Sequence, residues 1–471
     1  MDRESKLLFI DVHSQYMRVA FVENGELIEF HIESNNHNKI VGNIYKGQVV
    51  NVLSGMQAAF VDIGLHRNGY LYVGDYLVDN SDISSFKLPS ELKISTGDKI
   101  LVQVVKDEVG AKGARITCNI SLPGRLLVLM PGMDYVGVSS KITDEEKRTE
   151  LSAIVEAIRP KNMGFILRTA SENATEEEIA SDASYLLSLW ENIQEKYKSA
   201  KVKDCIHSEG NLYNRVIRDL YRKDINAIYV NDTSVYNEVK SLISRIAGDS
   251  DTDIVKLYDR AGDMFTAFKL NTQIDRLTER QVWLKNGAHL VFDYSEALTV
   301  IDVNTGKFVG DNNLEETVFV TNMLAAKEIG RQLRLRNIGG IIIVDFIDME
   351  LEEHRKMVLE TLKEILKEDR IKCTVMGMTN LGLVEITRKK TRNNAASTMM
   401  SVCPYCEGEG RIFSDEFNAM RIRAAILNLF SNIEAKAALV TVSEATFLSV
   451  FQRSLLSEEE KVKYKNKLIY I

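Results

Sequence analysis

Apolar residues recur at Val318, Phe319, Leu324, Ala325, Ile329 and Leu333, a helical spacing that predicts a helix from Glu315 to Arg336. It lies between two strand-like runs, ALTVIDVNTGKF and GGIIIVDFIDM. A strand-helix-strand unit sets its two strands parallel, with their carboxyl ends at one sheet edge, where open sheets bind ligands. Further upstream, KLLFIDVHSQYMRVAFVENGELIEFHIE reads as strands around a tight Asn24-Gly25 turn. Between residues 39 and 119, short β-rich runs separated by glycine and turn clusters predict a small barrel. Thr175 and Glu178 form a capping box for a helix running to about Lys198.

The strand-helix-strand unit carries the strongest chemical signal. Asp302 and Asn304, two apart on a strand, project to the same face, and Asp345 ends the second strand. Two carboxylates and one amide oxygen then share an opening. Hard oxygen donors of this kind suit Mg²⁺, which bridges to substrate phosphates, so phosphodiester hydrolysis is the matching chemistry. The alternative is structural: an Asp at a strand end often caps the next turn, and Asp348 is expected to cap a helix beginning near Leu351. Asp11 also looks like a nuclease carboxylate, but no matching acidic strand end follows nearby, and a turn or cap role is expected for it.

Composition narrows the class. A chain of 471 residues, 45% hydrophobic, should hold several packed domains, and 5 prolines and 27 glycines leave little material for long linkers. No repeat or low-complexity tract is present. The start lacks a signal-peptide pattern, and no apolar stretch reaches the roughly 20 residues that span a bilayer, so a cytoplasmic protein is expected. A net charge of −8 argues against indiscriminate polyanion binding, which draws on phosphate neutralisation by Lys and Arg. Basic surface must be local: Arg331, Arg334 and Arg336 form one patch, and Arg388, Lys389, Lys390 and Arg392 another, each expected as a solvated face unless a partner is shown.

In the barrel, Phe60 and Tyr70 are candidates for base stacking, and Lys106 and Lys112 for the phosphate backbone. Core placement of Phe60 remains open at this level, and Tyr70 is the expected exposed stacker. Five cysteines, an odd count, argue for reduced thiols or metal binding over a disulfide frame. CPYCEGEGR places Cys403 and Cys406 as half of a tetrathiolate zinc site, the glycines permitting the tight turn. Cys118, Cys205 and Cys373 are isolated and expected as small buried hydrophobes. A second copy of the chain is the simplest source of the missing ligands. A redox role for the pair is the alternative, weakened by the lack of a thioredoxin-like βαβ context.

Taken together, NIYKGQVV, AAFVDIG, ISLPGRLLVLMP, the pair Arg168-Thr169 in FILRTA, EALTVIDVNTG, IGRQLRLRNIGGIIIVDFIDM and CPYCEGEG resemble the ribonuclease E/G family of endoribonucleases over nearly the whole chain. The length, with no long polar tail after the cysteines, looks like the shorter members. The resemblance implies an α/β multidomain fold. A degenerate ribonuclease-H-like subdomain would comprise residues 1–38 and 211–275. An oligonucleotide-binding (OB-type) barrel (39–120) and a 5′-monophosphate sensor region (121–210) would be inserted in it. A deoxyribonuclease-I-like catalytic subdomain (276–400), a zinc link (401–412) and a small C-terminal domain (413–471) would follow.

By the same resemblance, Asp302 and Asp345 hold catalytic Mg²⁺, and Asn304 assists at the scissile phosphate. Gly124, Val128, Arg168 and Thr169 sense the RNA 5′-monophosphate. Lys141 stands where Arg is common, which puts the bidentate geometry and the strength of 5′ sensing in doubt; Tyr70 replaces a usual Phe and keeps the stacking. Cys403 and Cys406 form an intersubunit zinc link, giving a homodimer and leaving assembly into tetramers open. The implied activity is Mg²⁺-dependent cleavage of single-stranded RNA, leaving a 5′-phosphate and a 3′-hydroxyl, in ribosomal RNA processing and messenger RNA decay. Two rivals stand beside it: a noncatalytic RNA-binding scaffold, disfavoured by the intact Asp302, Asn304 and Asp345 set, and a deoxyribonuclease, against which only the barrel and 5′ pocket speak.

Overall fold

The structure, a computed structural model, describes residues 5–34, 40–72, 94–108, 112–247, 249–306, 314–390, 394–432, 436–442, 457–463, 465 and 468–470. Arg392, one member of a sequence-expected basic patch, lies outside the described residues. The chain divides into two compact units, residues 1–399 and 400–471.

In the first unit, the N-terminal strands Lys6–Val12, Tyr16–Glu23 and Glu26–Ser34 form an antiparallel meander. Its second turn is Asn24-Gly25, both at positive φ (54° and 81°), the geometry a two-residue hairpin needs. Strands Ala227–Val230 and Val255–Leu257 join this sheet in parallel, so the chain's start and its middle share one sheet and one core.

Strands Ile44–Leu53, Ala58–Asp62, Gly69–Tyr72, Lys99–Lys106 and Arg115–Thr117 form the barrel, closed by pairing of the first with the fourth. Alternation fills its interior with Val49, Ala59, Val61, Leu71, Val102, Val104 and Ile116. Phe60 falls between two interior positions and is half-buried, outside that core. A small sheet of Leu122–Pro123, Leu127–Pro131, Val136–Val138 and Met163–Leu167 packs under helices Glu145–Ile158 and Glu176–Ser199. The Thr175–Glu178 capping box is formed at the start of the second helix.

The last sheet of this unit runs in the order Gln281–Trp283, His289–Tyr294, Leu298–Asn304, Gly340–Asp345, Leu383–Arg388, Cys373–Met378. Leu298–Asn304 and Gly340–Asp345 are parallel, joined by the crossover helix Leu314–Leu335. That helix and the helix Glu352–Lys367 cover one face, burying Leu290, Phe292, Ile301, Val303, Ile342, Val344, Val384 and Ile386. Each such side chain contributes about 1.5–3 kcal/mol of burial. The opposite face carries Trp283, Asp302, Ile341, Asp345 and Met376 and is exposed.

Arg336 is 1% exposed: its guanidinium stacks on Phe292 at 4.6 Å and donates to Gln332 Oε1, the Glu279 carbonyl and the Arg276 carbonyl. Arg331 is likewise bound to Glu328. Arg388 is 4% exposed and held by Asp369, Asn337 and the Ile338 carbonyl. Each patch therefore loses an arginine to the interior, where fixed acceptors satisfy the fork; Lys389 and Lys390 remain exposed. Asp348 does not cap the helix Glu352–Lys367. The Glu315 carboxylate, from the crossover helix, accepts from the Glu350 and Leu351 amides instead.

In the second unit, helix Asp415–Asn432 packs Ile426 and Phe430 against Ala438 in a small sheet of Ala437–Leu439 and Leu468–Tyr470. Among the described residues no helix is long and apolar enough to cross a membrane.

Candidate active site

Parallel register sets Asp302 directly across from Asp345, at the carboxyl edge of their strands. Both are exposed, and Asn304, on the same face, donates from Nδ2 to Asp302 Oδ2 at 2.8 Å. Among the described residues the Asp345 carboxylate has no side-chain hydrogen bond or ion pair, its backbone alone pairing in the sheet. Burial, then the negative charges of Asp302 and Asp348, push its pKa above the usual carboxylate value. Three acids thus crowd one edge, with no cation bound to Asp345 among the described residues.

The edge is fixed from behind. Asn322, fully buried in the crossover helix, donates to the Ile347 carbonyl at 2.7 Å and accepts from the Ile347 amide at 3.2 Å, pinning the chain just beyond Asp345. Glu315 holds the next turn and also binds His354 Nδ1 at 2.8 Å. Neither residue stood out in the sequence, because each acts on backbone 25 to 36 positions away. The donor set fits a hard divalent cation: carboxylate and amide oxygens on rigid strands, open on one side to water and phosphate oxygens.

Asp11, His13 and Asp263 form another cluster whose ligating atoms lie within 4.8 Å of one another. Here the positive charge is already present. Arg18 donates from Nε to Asp11 at 2.8 Å and from Nη2 to Asp263 at 3.0 Å, while Asn231 donates to Asp11 at 2.8 Å. Asp11 is therefore a buried ion-pair partner, neither a turn nor a cap residue.

On the barrel, one cross-strand row reads Phe60, Tyr70, Arg115, Lys106. The two rings are 6.1 Å apart at 69° and both half-buried, so Tyr70 is not more exposed in kind than Phe60. Lys106, Lys112 and Arg115 are exposed. Arg115 was not singled out from the sequence; its place in the row depends on strand register.

The residues Gly124, Arg168 and Thr169 come together. Arg168 donates to the Gly124 carbonyl at 2.6 Å and to Asp219 at 2.8 Å, and Thr169 Oγ1 lies 3.0 Å from Ser139 Oγ. Val128 pairs with Ile166 and Pro123 in the adjoining strands. Lys141 reaches elsewhere: its ammonium bonds the Asp369 and Lys367 carbonyls at the end of helix Glu352–Lys367, and burial there lowers its pKa. Arg370 is close enough to Arg222, Asp219 and Arg168 for their charges to act on it. Arg222 and Arg370 add cationic charge that sequence spacing did not reveal.

In the second unit Cys403 and Cys406 lie in a tight turn. The Glu407 amide donates to the Cys403 carbonyl and the Glu409 amide to the Cys406 carbonyl, both at 2.8 Å, while the Gly410 amide reaches Cys406 Sγ at 3.3 Å. Amides of Cys406 and Tyr405, with the Cys406 thiol, hold the Cys403 thiol below its usual pKa. None of the five cysteines is in a disulfide, and Cys205 is exposed, contrary to the buried setting expected for it.

These elements define an α/β protein built around an OB-type barrel and an acidic sheet edge. Residues 121–391 match the Ribonuclease E/G family. The chain is 40% identical over 478 residues to Ribonuclease G of Haemophilus influenzae, covering 98% of this chain and 97% of that protein. It is 41% identical over 445 residues to Ribonuclease G of Escherichia coli K12, covering 93% and 91%. With Ribonuclease E of Escherichia coli K12 identity is 33% over 461 residues, covering 97% of this chain and 43% of the relative. The chain belongs to the ribonuclease E/G family.

Proposed function

We propose that this ribonuclease E/G family endoribonuclease cuts single-stranded RNA at the Asp302–Asp345 edge with the help of Mg²⁺. The observation that carries the reading is the register of those two carboxylates, with Asn304 beside them. When bound, Mg²⁺ supplies an acidified water and charge neutralisation at the phosphate. Asp302 and Asp345 hold the ion, and Asn304 orients the scissile phosphate. Phe60 and Tyr70 stack bases, while Lys106, Lys112 and Arg115 meet the backbone. The products are a 5′-phosphate and a 3′-hydroxyl, and the cellular role is ribosomal RNA processing and messenger RNA decay in the cytoplasm; five cysteines outside any disulfide suit a reducing compartment.

Gly124, Val128, Arg168 and Thr169 form the 5′-monophosphate sensor in this reading. Lys141 supports its frame by binding the end of helix Glu352–Lys367. Cys403 and Cys406 of two chains share one Zn²⁺, making a homodimer. The sheet shared by strands from both segments supports taking residues 1–38 and 211–275 as one subdomain.

The test is cleavage of a short single-stranded RNA bearing either a 5′-monophosphate or a 5′-hydroxyl, in Mg²⁺, with Asp302→Asn as control. Faster cutting of the monophosphorylated strand, lost in the variant, supports site and sensor. Equal cutting of both strands discards the sensor alone. A matched DNA strand should survive.

A further inference from the structure

The open face of the catalytic sheet extends beyond its acidic edge. Register aligns Asn304 with His289 on the next strand and His289 with Trp283 on the one beyond. Directly paired residues of neighbouring strands project to the same face, so the indole and imidazole stand on the side that carries Asp302 and Asp345. Strands lie roughly 4.8 Å apart, which places Trp283 about 10 Å from Asn304 along the row.

Trp283 is 61% exposed, and only two tryptophans occur in the chain. Isolated exposed apolar residues are common, so exposure by itself decides nothing. Three further features set Trp283 apart. Its ring packs on His289 with centroids 5.1 Å apart and planes at 52°, which restrains the indole before any ligand arrives. His289 Nδ1 is buried without a hydrogen-bond partner among the described residues. The hairpin carrying both rings is locked to the catalytic strand: at Gly306 (φ 59°) a Cβ would lie 2.4 Å from the Gly287 carbonyl oxygen and 3.3 Å from His289 Nδ1. Movement of the hairpin would therefore be felt at Asn304, two residues before Gly306.

We propose that Trp283, backed by His289, is a stacking platform for one nucleobase of the RNA strand, on the flank of the scissile phosphate away from Asp345. An indole face binds any base with little regard to sequence, and exposed Lys285 in the same hairpin adds an ammonium for the RNA backbone. The platform would hold a strand whose phosphate sits at Asp302 and Asp345 against slippage along the sheet. It is separate from the Phe60–Tyr70 face, which belongs to the barrel. The inference rests on the cleavage reading above.

The experiment is steady-state cleavage of a short 5′-monophosphorylated RNA by the full chain and by Trp283→Ala and Trp283→Phe. It is repeated with substrates carrying a single abasic residue at successive positions around the cut. Expected are a roughly tenfold rise in KM for Trp283→Ala, kcat changed by less than about twofold, and recovery by Phe, the scale of one stacked base. The alanine penalty should vanish for the substrate abasic at one position and persist for the others. In a Trp190→Phe background, RNA added without divalent metal should quench the remaining indole fluorescence. Normal cutting by wild type with an unchanged KM in Trp283→Ala overturns the platform alone, as does an alanine penalty indifferent to every abasic position. Failure of wild type to cut removes the cleavage reading, and the platform with it.

Discussion

Asp345 faces Asp302 across one parallel strand pair, and the charge of Asp302 is among the causes that raise the pKa of Asp345. Both carboxylates stay on an exposed sheet edge where like charges repel. Asp302→Asn or Asp345→Asn should lower cleavage on the order of a thousandfold, since charge neutralisation by a bound metal is worth several kcal/mol in the transition state. In metal-free buffer each variant should be no less stable than wild type, because a repulsion has been removed. Mg²⁺ should raise the melting temperature of wild type and of neither variant. Retained activity in both variants would remove the site assignment.

Arg168 and Lys141 should separate cleanly. Arg168 binds Asp219 and the Gly124 carbonyl with a planar fork, a geometry Lys cannot reproduce. Arg168→Lys should erase most of the preference for 5′-monophosphorylated over 5′-hydroxyl RNA. The Lys141 ammonium is engaged with the Asp369 and Lys367 carbonyls, so Lys141→Ala should lower the melting temperature and leave that preference nearly intact. A collapse of the preference in Lys141→Ala with unchanged melting would reverse the roles.

How far the chain could be read in advance follows from the range over which each interaction acts. The crossover helix and its flanking strands were legible because apolar spacing is local, and parallel pairing then brings Asp302 and Asp345 to one edge. The fate of Arg336 and Arg388 was not legible. A basic run looks the same whether solvated or buried, and their acceptors lie on Arg276, Glu279 and Asp369, up to 60 residues away. The cap of helix Glu352–Lys367 was assigned to Asp348 by proximity in sequence, whereas Glu315 reaches it from another helix. The same limit hid Arg115 and Trp283, whose meaning comes from strand register.

Asp219 gives the fold an acid limit. Burial raises its pKa, but Arg218 and Arg168 outweigh that and hold it below the usual carboxylate value. The unfolded chain then binds more protons than the folded chain between the two values, so this contribution is complete above the unfolded pKa, about 4. It is lost as pH falls through the lower folded value. Asp219→Asn should flatten the acid side of a melting-temperature profile between about pH 5 and pH 2. An unchanged slope there would show that the two arginines do not stabilise the carboxylate.

Cys403 and Cys373 sit at opposite ends of thiol reactivity. Backbone amides lower the Cys403 pKa at an exposed turn, whereas burial and then Asp369 push that of Cys373 up to about 12. The thiolate is both the nucleophile and the metal ligand, so Cys403 is the poised group of the two. After chelation, iodoacetamide at neutral pH should label Cys403 well before Cys373, as read by peptide mass spectrometry, and Zn²⁺ should protect it. Cys403→Ser should release zinc and halve the mass in solution if two chains share the ion. A variant that keeps its mass while losing zinc would place the dimer contact elsewhere, and one that keeps its zinc would overturn the tetrathiolate.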